Sequence, residues 1–169
     1  MRVSLVAVMT ADGFIARDAQ ELVDWRSEAD RKLFVALTKR AGVVVMGANT
    51  FRTIGKALPG RKTIVYAHQT IDAEGVETTQ ESPQKLINRL EELGFSELAV
   101  CGGAEVYDLF LRAGLASDLY VTLEPKLFGR GISLAKLPLD IQLKLAEAPI
   151  THEDAVFLHY EVAAKPPVH

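Results

Sequence analysis

The chain has 169 residues, 49% hydrophobic and 24% charged, with a formal net charge of −3. That length suits one domain with a real core, and a mild charge without a basic run argues against a nucleic-acid partner. Cys101 is the lone cysteine, which excludes a disulfide framework and a multi-cysteine metal site and makes the reducing cytoplasm the expected location.

Val3 to Met9 is a short β-branched run that predicts a buried strand, ended by the turn signal Asp12-Gly13. It falls short of the ~20 apolar residues of a membrane span, as does every other run, so no membrane association is expected. Arg17 to Asp24 is polar and aperiodic, a loop. Ser27 opens a helix in which Leu33, Phe34 and Leu37 form an apolar stripe and Ala41-Gly42 marks the end. Val43 to Met46 is a second buried strand stopped by Gly47, and Thr50 to Gly55 predicts a short helix. Leu58-Pro59-Gly60 turns the chain into a strand over Lys62 to Tyr66.

Ser82-Pro83 starts a helix with proline at the tolerated first position and Leu86, Leu90 and Leu93 spaced for one face. Leu98 to Cys101 is again a buried strand, running through Gly102-Gly103 into a helix that reaches about Arg112. Asp118 to Glu124 alternates as a strand. Ile141 to Ala148 and Ala155 to Val162 predict a C-terminal antiparallel pair. The pattern implies one α/β domain over 1–163, a mostly parallel central sheet flanked by helices with that strand pair at its edge; 164–169, with Lys165-Pro166-Pro167, reads as a frayed tail.

Two places combine a buried strand, glycine and a helix start: Met46-Gly47-Ala48-Asn49-Thr50 and Cys101-Gly102-Gly103-Ala104-Glu105. Glycine there lets a ligand approach the backbone, and a helix start offers N–H groups to a phosphate. Two such sites suit a dinucleotide lying across strand ends, although each alone also reads as a tight turn. The G-x-G-x-x-G fingerprint is absent, which disfavours a Rossmann dehydrogenase, and no G-x-S-x-G or P-loop occurs. Asp30, in the first turn of its helix with Trp25 upstream and Phe34 a turn later, reads in two ways. It is either the third residue of a capping box after Ser27 or an acid raised by an apolar pocket. Arg61 is either a solvated turn residue or a carboxylate fork, and Asp12 reads as a turn residue. His68, His152, His159 and His169 show no metal-ligand spacing, and Cys101 reads as a buried small hydrophobe.

Taken in order, these stretches resemble dihydrofolate reductases and the related reductase domains of riboflavin biosynthesis. Ser4 to Ala16 is similar to the family's first strand and the start of its mobile loop. Trp25, Asp30 and Phe34 match its tryptophan, acid and pocket phenylalanine. Gly47 through Lys62 is the most specific match, and Gly102-Gly103-Ala104-Glu105-Val106-Tyr107 resembles its glycine pair and tyrosine beside the cofactor. The resemblance implies that Asp30, oriented by Thr122, grips the 2-amino group and N3 of a dihydropterin. Val6, Phe34, Ile54 and Leu58 would wall the pocket, and Arg61 would bind a folate carboxylate. It implies NADPH as cofactor, with Ala7, Ile15, Gly102, Gly103 and Tyr107 at the nicotinamide and pyrophosphate. Gly47, Thr50, His68, Ala104, Glu105 and Val106 would line the same cofactor site, and no metal is implied.

Some features depart from the folate pattern. The loop between Ile15 and Trp25 is lengthened, and Asp24 stands where proline is usual. Ala48-Asn49 lacks the basic residue that often follows this glycine and contacts a 2′-phosphate, a role left to His68 or Arg52. Pro125 to Gly131 resembles the riboflavin-type enzymes. The expected activity is therefore reduction of dihydrofolate to tetrahydrofolate, by hydride transfer to C6 with protonation at N5. The alternatives are a ribosylaminopyrimidine reductase of riboflavin biosynthesis and a non-catalytic binding member of the superfamily. The expected partner is a small molecule, and the expected state is a monomer or homodimer.

Overall fold

The apolar amino-terminal run folds as β1 (Arg2–Thr10), buried along most of its length. The structure, a computed structural model, describes residues 1–136 and 138–163; the tail expected at 164–169 lies outside them. After β1 come β2 (Phe14–Ala16), α1 (Glu28–Ala41), β3 (Val43–Gly47) and α2 (Ala48–Ile54). Then follow β4 (Lys62–Tyr66), β5 (Val76–Thr79), α3 (Pro83–Glu92), β6 (Glu97–Val100) and α4 (Ala104–Arg112). The chain closes with β7 (Asp118–Glu124), β8 (Ile132–Ser133), β9 (Leu143–Leu145), β10 (Ile150–His152) and β11 (Ala155–Val162).

A strand buried on both faces belongs inside a covered sheet, and β1 lies there, parallel to β6 on one side and β7 on the other. The order is β10-β11-β7-β1-β6-β3-β4-β5, parallel from β7 to β5, with β11 antiparallel to β7. The two-residue strand period divides the core. Val3, Leu5, Val43 and Val45 face Leu86, Leu90 and Phe110 of α3 and α4. Val6, Val44 and Met46 face Leu37 and Ala41 of α1 and Phe51 of α2. Each such aliphatic side chain, fully buried, stabilises the fold by about 1.5–3 kcal/mol.

Four differences from the sequence reading have local causes. β7 is buried on both faces apart from Leu123, because Leu119 and Val121 join the core layer of α3 and α4 while Tyr120 joins that of α1 and α2; the alternation expected there is absent. The expected Ile141–Ala148 strand shrinks to β9, which pairs antiparallel with the end of β11 as expected, while an additional strand, β10, pairs with the first residues of β11. Leu93 is 59% exposed at the end of α3, and Ile87 takes its place on the buried face. The sequence reading also lacks β2, β5 and β8. β5 is a short edge strand with one apolar residue, and β2 with β8 forms a separate small sheet, so none carries a long periodic signal. Among the described residues, no helix is long and apolar enough to cross a membrane, and no cluster of His, Cys, Asp or Glu is placed to hold a metal.

Candidate active site

The carboxyl ends of β1, β6, β3 and β4 open into one cleft of about 1510 Å³, bounded by α1, α2 and residues 15–24. Ligands bind at such strand ends because side chains and loop backbones converge there without disturbing the sheet. Val6, Asp30, Phe34, Ile54 and Leu58 line one end. Ala7, Ile15, Gly47, Thr50 and His68 line the rest, together with the run Gly102 to Tyr107. Two of the predicted residues, Arg61 and Thr122, are not among those that line the cleft.

The two readings of Asp30 separate on one hydrogen bond. Ser27 caps α1, its hydroxyl accepting the Asp30 backbone N–H at 3.1 Å. In a reciprocal capping box the Asp30 carboxylate would take the Ser27 N–H. Instead Glu124 of β7 takes it, at 2.7 Å. The Asp30 carboxylate is thus released from the helix end and turned into the cleft, only 5% exposed. Burial pushes its carboxyl up from the ordinary range; the Thr122 hydroxyl and the Arg26 guanidinium, whose Nη1 is 3.8 Å from Oδ2, oppose the rise, and Glu124 adds to it. Glu124, buried at 3% exposure, is a site residue that sequence reading missed. Its signal was its spacing, two residues beyond Thr122 and so on the same strand face.

The opposite wall is a backbone cradle. The Gly102-Gly103 peptide is cis, and Gly102 has φ +101°, which side chains other than glycine's rarely adopt. A Cβ on Gly102 would lie 3.1 Å from the Tyr107 hydroxyl, and one on Gly47 3.3 Å from Val106 Cγ2. A Cβ on Gly103 would sit 3.4 Å from Thr50 Oγ1. Gly47 N–H donates to the Gly102 carbonyl at 2.7 Å, which locks the two strand ends together. The Tyr107 hydroxyl is committed, donating to the Val6 carbonyl at 2.6 Å, and burial raises its pKa well above the ordinary value. Cys101 lies among these groups, its thiol pushed up to about 12 by burial, so it offers no thiolate. Glu105 is exposed and pairs with Lys136 at 2.6 Å. His68 stands exposed on the rim, its carbonyl held by Gln80.

Arg61 is half-buried. Its Nη1 donates to Thr38 Oγ1 of α1 at 2.8 Å and its Nε to the Pro59 carbonyl at 3.1 Å. Burial lowers its pKa, and among the described residues no carboxylate pairs with it. A fixed guanidinium with donors left over is prepared for an external anion.

The long loop is anchored by the Pro125–Gly131 segment. Asp12 is more than a turn residue: its carboxylate accepts the Thr10 hydroxyl at 2.6 Å and the Gly129 N–H at 2.7 Å, and also takes the Phe128 N–H. Phe128 meets Trp25 edge to face at 5.2 Å, while Arg17 lies 4.1 Å over the same ring. Gly131 packs against the Ala16 carbonyl, where a Cβ would come within 2.4 Å.

A family model described as dihydrofolate reductase matches residues 2–127. The chain belongs to the dihydrofolate reductase family. It is 30% identical over 161 residues to dihydrofolate reductase type A13 of Escherichia coli, covering 93% of this chain and 94% of that one. In fold it is similar to a dihydrofolate reductase from Enterococcus faecalis complexed with NADP(H), with TM-score 0.76 and 20% identity, covering 95% of this chain and 96% of the other. It is also similar to Acinetobacter baumannii RibD, with TM-score 0.81 and 15% identity, covering 96% of this chain and 58% of the other. The family's chemistry is that of an oxidoreductase. The glycine cradle fits a nicotinamide dinucleotide on the chain's own terms, because a side chain at Gly47, Gly102 or Gly103 would take the space such a backbone contact needs.

Proposed function

We propose that the chain reduces dihydrofolate to tetrahydrofolate with NADPH. The observation that carries this reading is the Asp30 carboxylate, buried, freed from its helix by Glu124, and facing the glycine cradle across one cleft. A buried carboxylate pairs best with a planar edge presenting two N–H groups, since both its oxygens can then be satisfied. The 2-amino group and N3 of a dihydropterin form such an edge. Thr122 orients Asp30 from behind, and Val6, Phe34, Ile54 and Leu58 enclose the ring in apolar surface that excludes water. Arg61 takes the α-carboxylate of the folate tail.

Ala7, Ile15, Gly102, Gly103 and Tyr107 hold the nicotinamide and pyrophosphate, with Gly47 and Thr50 alongside. Bound NADPH would supply the hydride to C6. Reduction there requires a proton at N5, and a carboxyl whose pKa burial has raised favours the protonated state of the site. The buried lone thiol suits a reducing, cytoplasmic setting.

The test is to mix the purified protein with NADPH and dihydrofolate and follow nicotinamide absorbance. Oxidation that depends on dihydrofolate supports the reading. The second reading, reduction of a ribosylaminopyrimidine, is favoured by the Pro125–Gly131 segment and its packing on Trp25. Turnover on that pyrimidine and none on dihydrofolate would replace the first reading with the second. Thermal stabilisation by ligands without turnover on either would point to binding alone.

A further inference from the structure

Asp30 and Phe34 stand one turn apart on α1 and both line the cleft, so a group that meets both lies against the end read above as the ring site. One side chain of the protein already does so. Arg26, between Trp25 and the capping Ser27, brings its Nη1 to 3.8 Å from Asp30 Oδ2. Its guanidinium carbon lies 5.4 Å from the centre of the Phe34 ring. Two further lysines and arginines line the cleft among the described residues: Arg31 reaches Glu28 on its own helix at 4.0 Å, and Lys136 pairs with Glu105. Arg26 alone of the three meets both Asp30 and Phe34.

A guanidinium is planar, carries N–H groups on neighbouring nitrogens and stacks on aromatic faces. The 2-amino group and N3 of a pterin offer the same features to the same two residues. We propose that Arg26 is an internal occupant of the ring site: its guanidinium holds the place at Asp30 and Phe34 that such a ring edge takes, and leaves as the ring enters. The proposal rests on the reading that Asp30 grips that edge. The contact is loose enough to be released. At 3.8 Å the pair is longer than a hydrogen bond, and the Arg26 side chain is 30% exposed, so it turns into water without crossing the core. Its backbone stays in place, because Trp25 before it packs on Phe128 and Ser27 after it is bonded to Glu124. While Arg26 is in place it compensates the charge of the buried carboxylate. An entering ring takes over that task. The affinity the site shows for a ring is therefore its intrinsic affinity reduced by the fraction of molecules from which Arg26 has withdrawn.

Calorimetric titration of the full chain with pterin tests this without turnover. Pterin has the ring edge and no carboxylate tail, so Arg61 is not engaged. Arg26→Met removes the guanidinium and keeps an apolar stem; Arg26→Lys keeps the positive charge beside Asp30 and loses the planar fork. Pterin should bind Arg26→Met at least about threefold more tightly than the wild type, and Arg26→Lys more tightly by a smaller factor. The proposal falls if neither variant binds pterin more tightly. Weaker binding to Arg26→Met with wild-type binding to Arg26→Lys would show that Arg26 only supports the charge of Asp30. Turnover of dihydrofolate by the wild type, with no gain in pterin affinity in either variant, would overturn the proposal and leave the reductase reading standing. A gain in pterin affinity without turnover of dihydrofolate would uphold the proposal and refute that activity. Failure of the wild type and both variants to bind pterin would overturn the ring site and the proposal together.

Discussion

Asp30 bears two costs that its replacement would separate. Its raised carboxyl means that, in the range between the ordinary and the folded value, the native state holds a proton that the unfolded chain has lost. Stability therefore falls as pH climbs through that window and stays lower above it. Asp30→Asn should be more stable than wild type at neutral pH and lose that advantage near about pH 3, where both states are protonated; denaturant unfolding at the two pH values measures it. The same variant should lose at least about 100-fold in kcat/KM for dihydrofolate. Arg61→Ala should raise KM by about 10- to 100-fold with kcat nearly unchanged, because a contact remote from the reacting atoms is lost. Steady-state kinetics checks it, and an unchanged KM would remove the main residue-level support for folate. At this scale the sequence was a partial guide. Ser27-x-x-Asp30 announces a cap, and the cap is present, but which carboxylate takes the Ser27 N–H is decided by β7, nearly a hundred residues away. No local pattern contains that contact.

The elements that frame the cleft were legible because their signals are local: β-branched runs ended by glycine, and helices opened by Ser27 or Pro83. The anchoring of the long loop was not. Residues 125–131 stood out only as a departure from the folate pattern, yet they hold Trp25, Arg17 and Asp12 in one cluster. A segment without periodicity acquires structure by packing on another such segment, and neither alone carries the information. Asp12→Ala should free the Phe128 and Gly129 N–H groups and loosen the anchor of the long loop. Hydrogen exchange should speed up in residues 15–25 and 125–131 while β1, β3 and β6 stay protected. Uniform acceleration across the sheet would show that Asp12 serves global stability instead of the loop.

Across the whole molecule, the sheet is closed at its β7 side by an ionic cluster. Asp118, 1% exposed, accepts two bonds from Arg2 at 2.6 Å and one from His159 at 2.8 Å, and His159 stacks on Tyr120 with centroids 4.0 Å apart. Burial pushes the Asp118 carboxyl up, but Arg2 and His159 outweigh it and hold it below the ordinary range. Its contribution is therefore present at neutral pH and is lost as pH falls through the folded value. Asp118→Asn should cost about 2 kcal/mol at pH 7 and flatten the acid limb of the stability curve, as measured by melting temperature against pH. β1 joins this cluster through Arg2, and its two strand neighbours are β6 and β7, which span residues 97–124. β1 is therefore made well before either of its partners, with all the elements from β2 to α3 between it and β6. Until then Val3, Leu5, Val6 and Val8 have only transient cover, so this protein's folding during synthesis depends on what shelters the nine residues of β1.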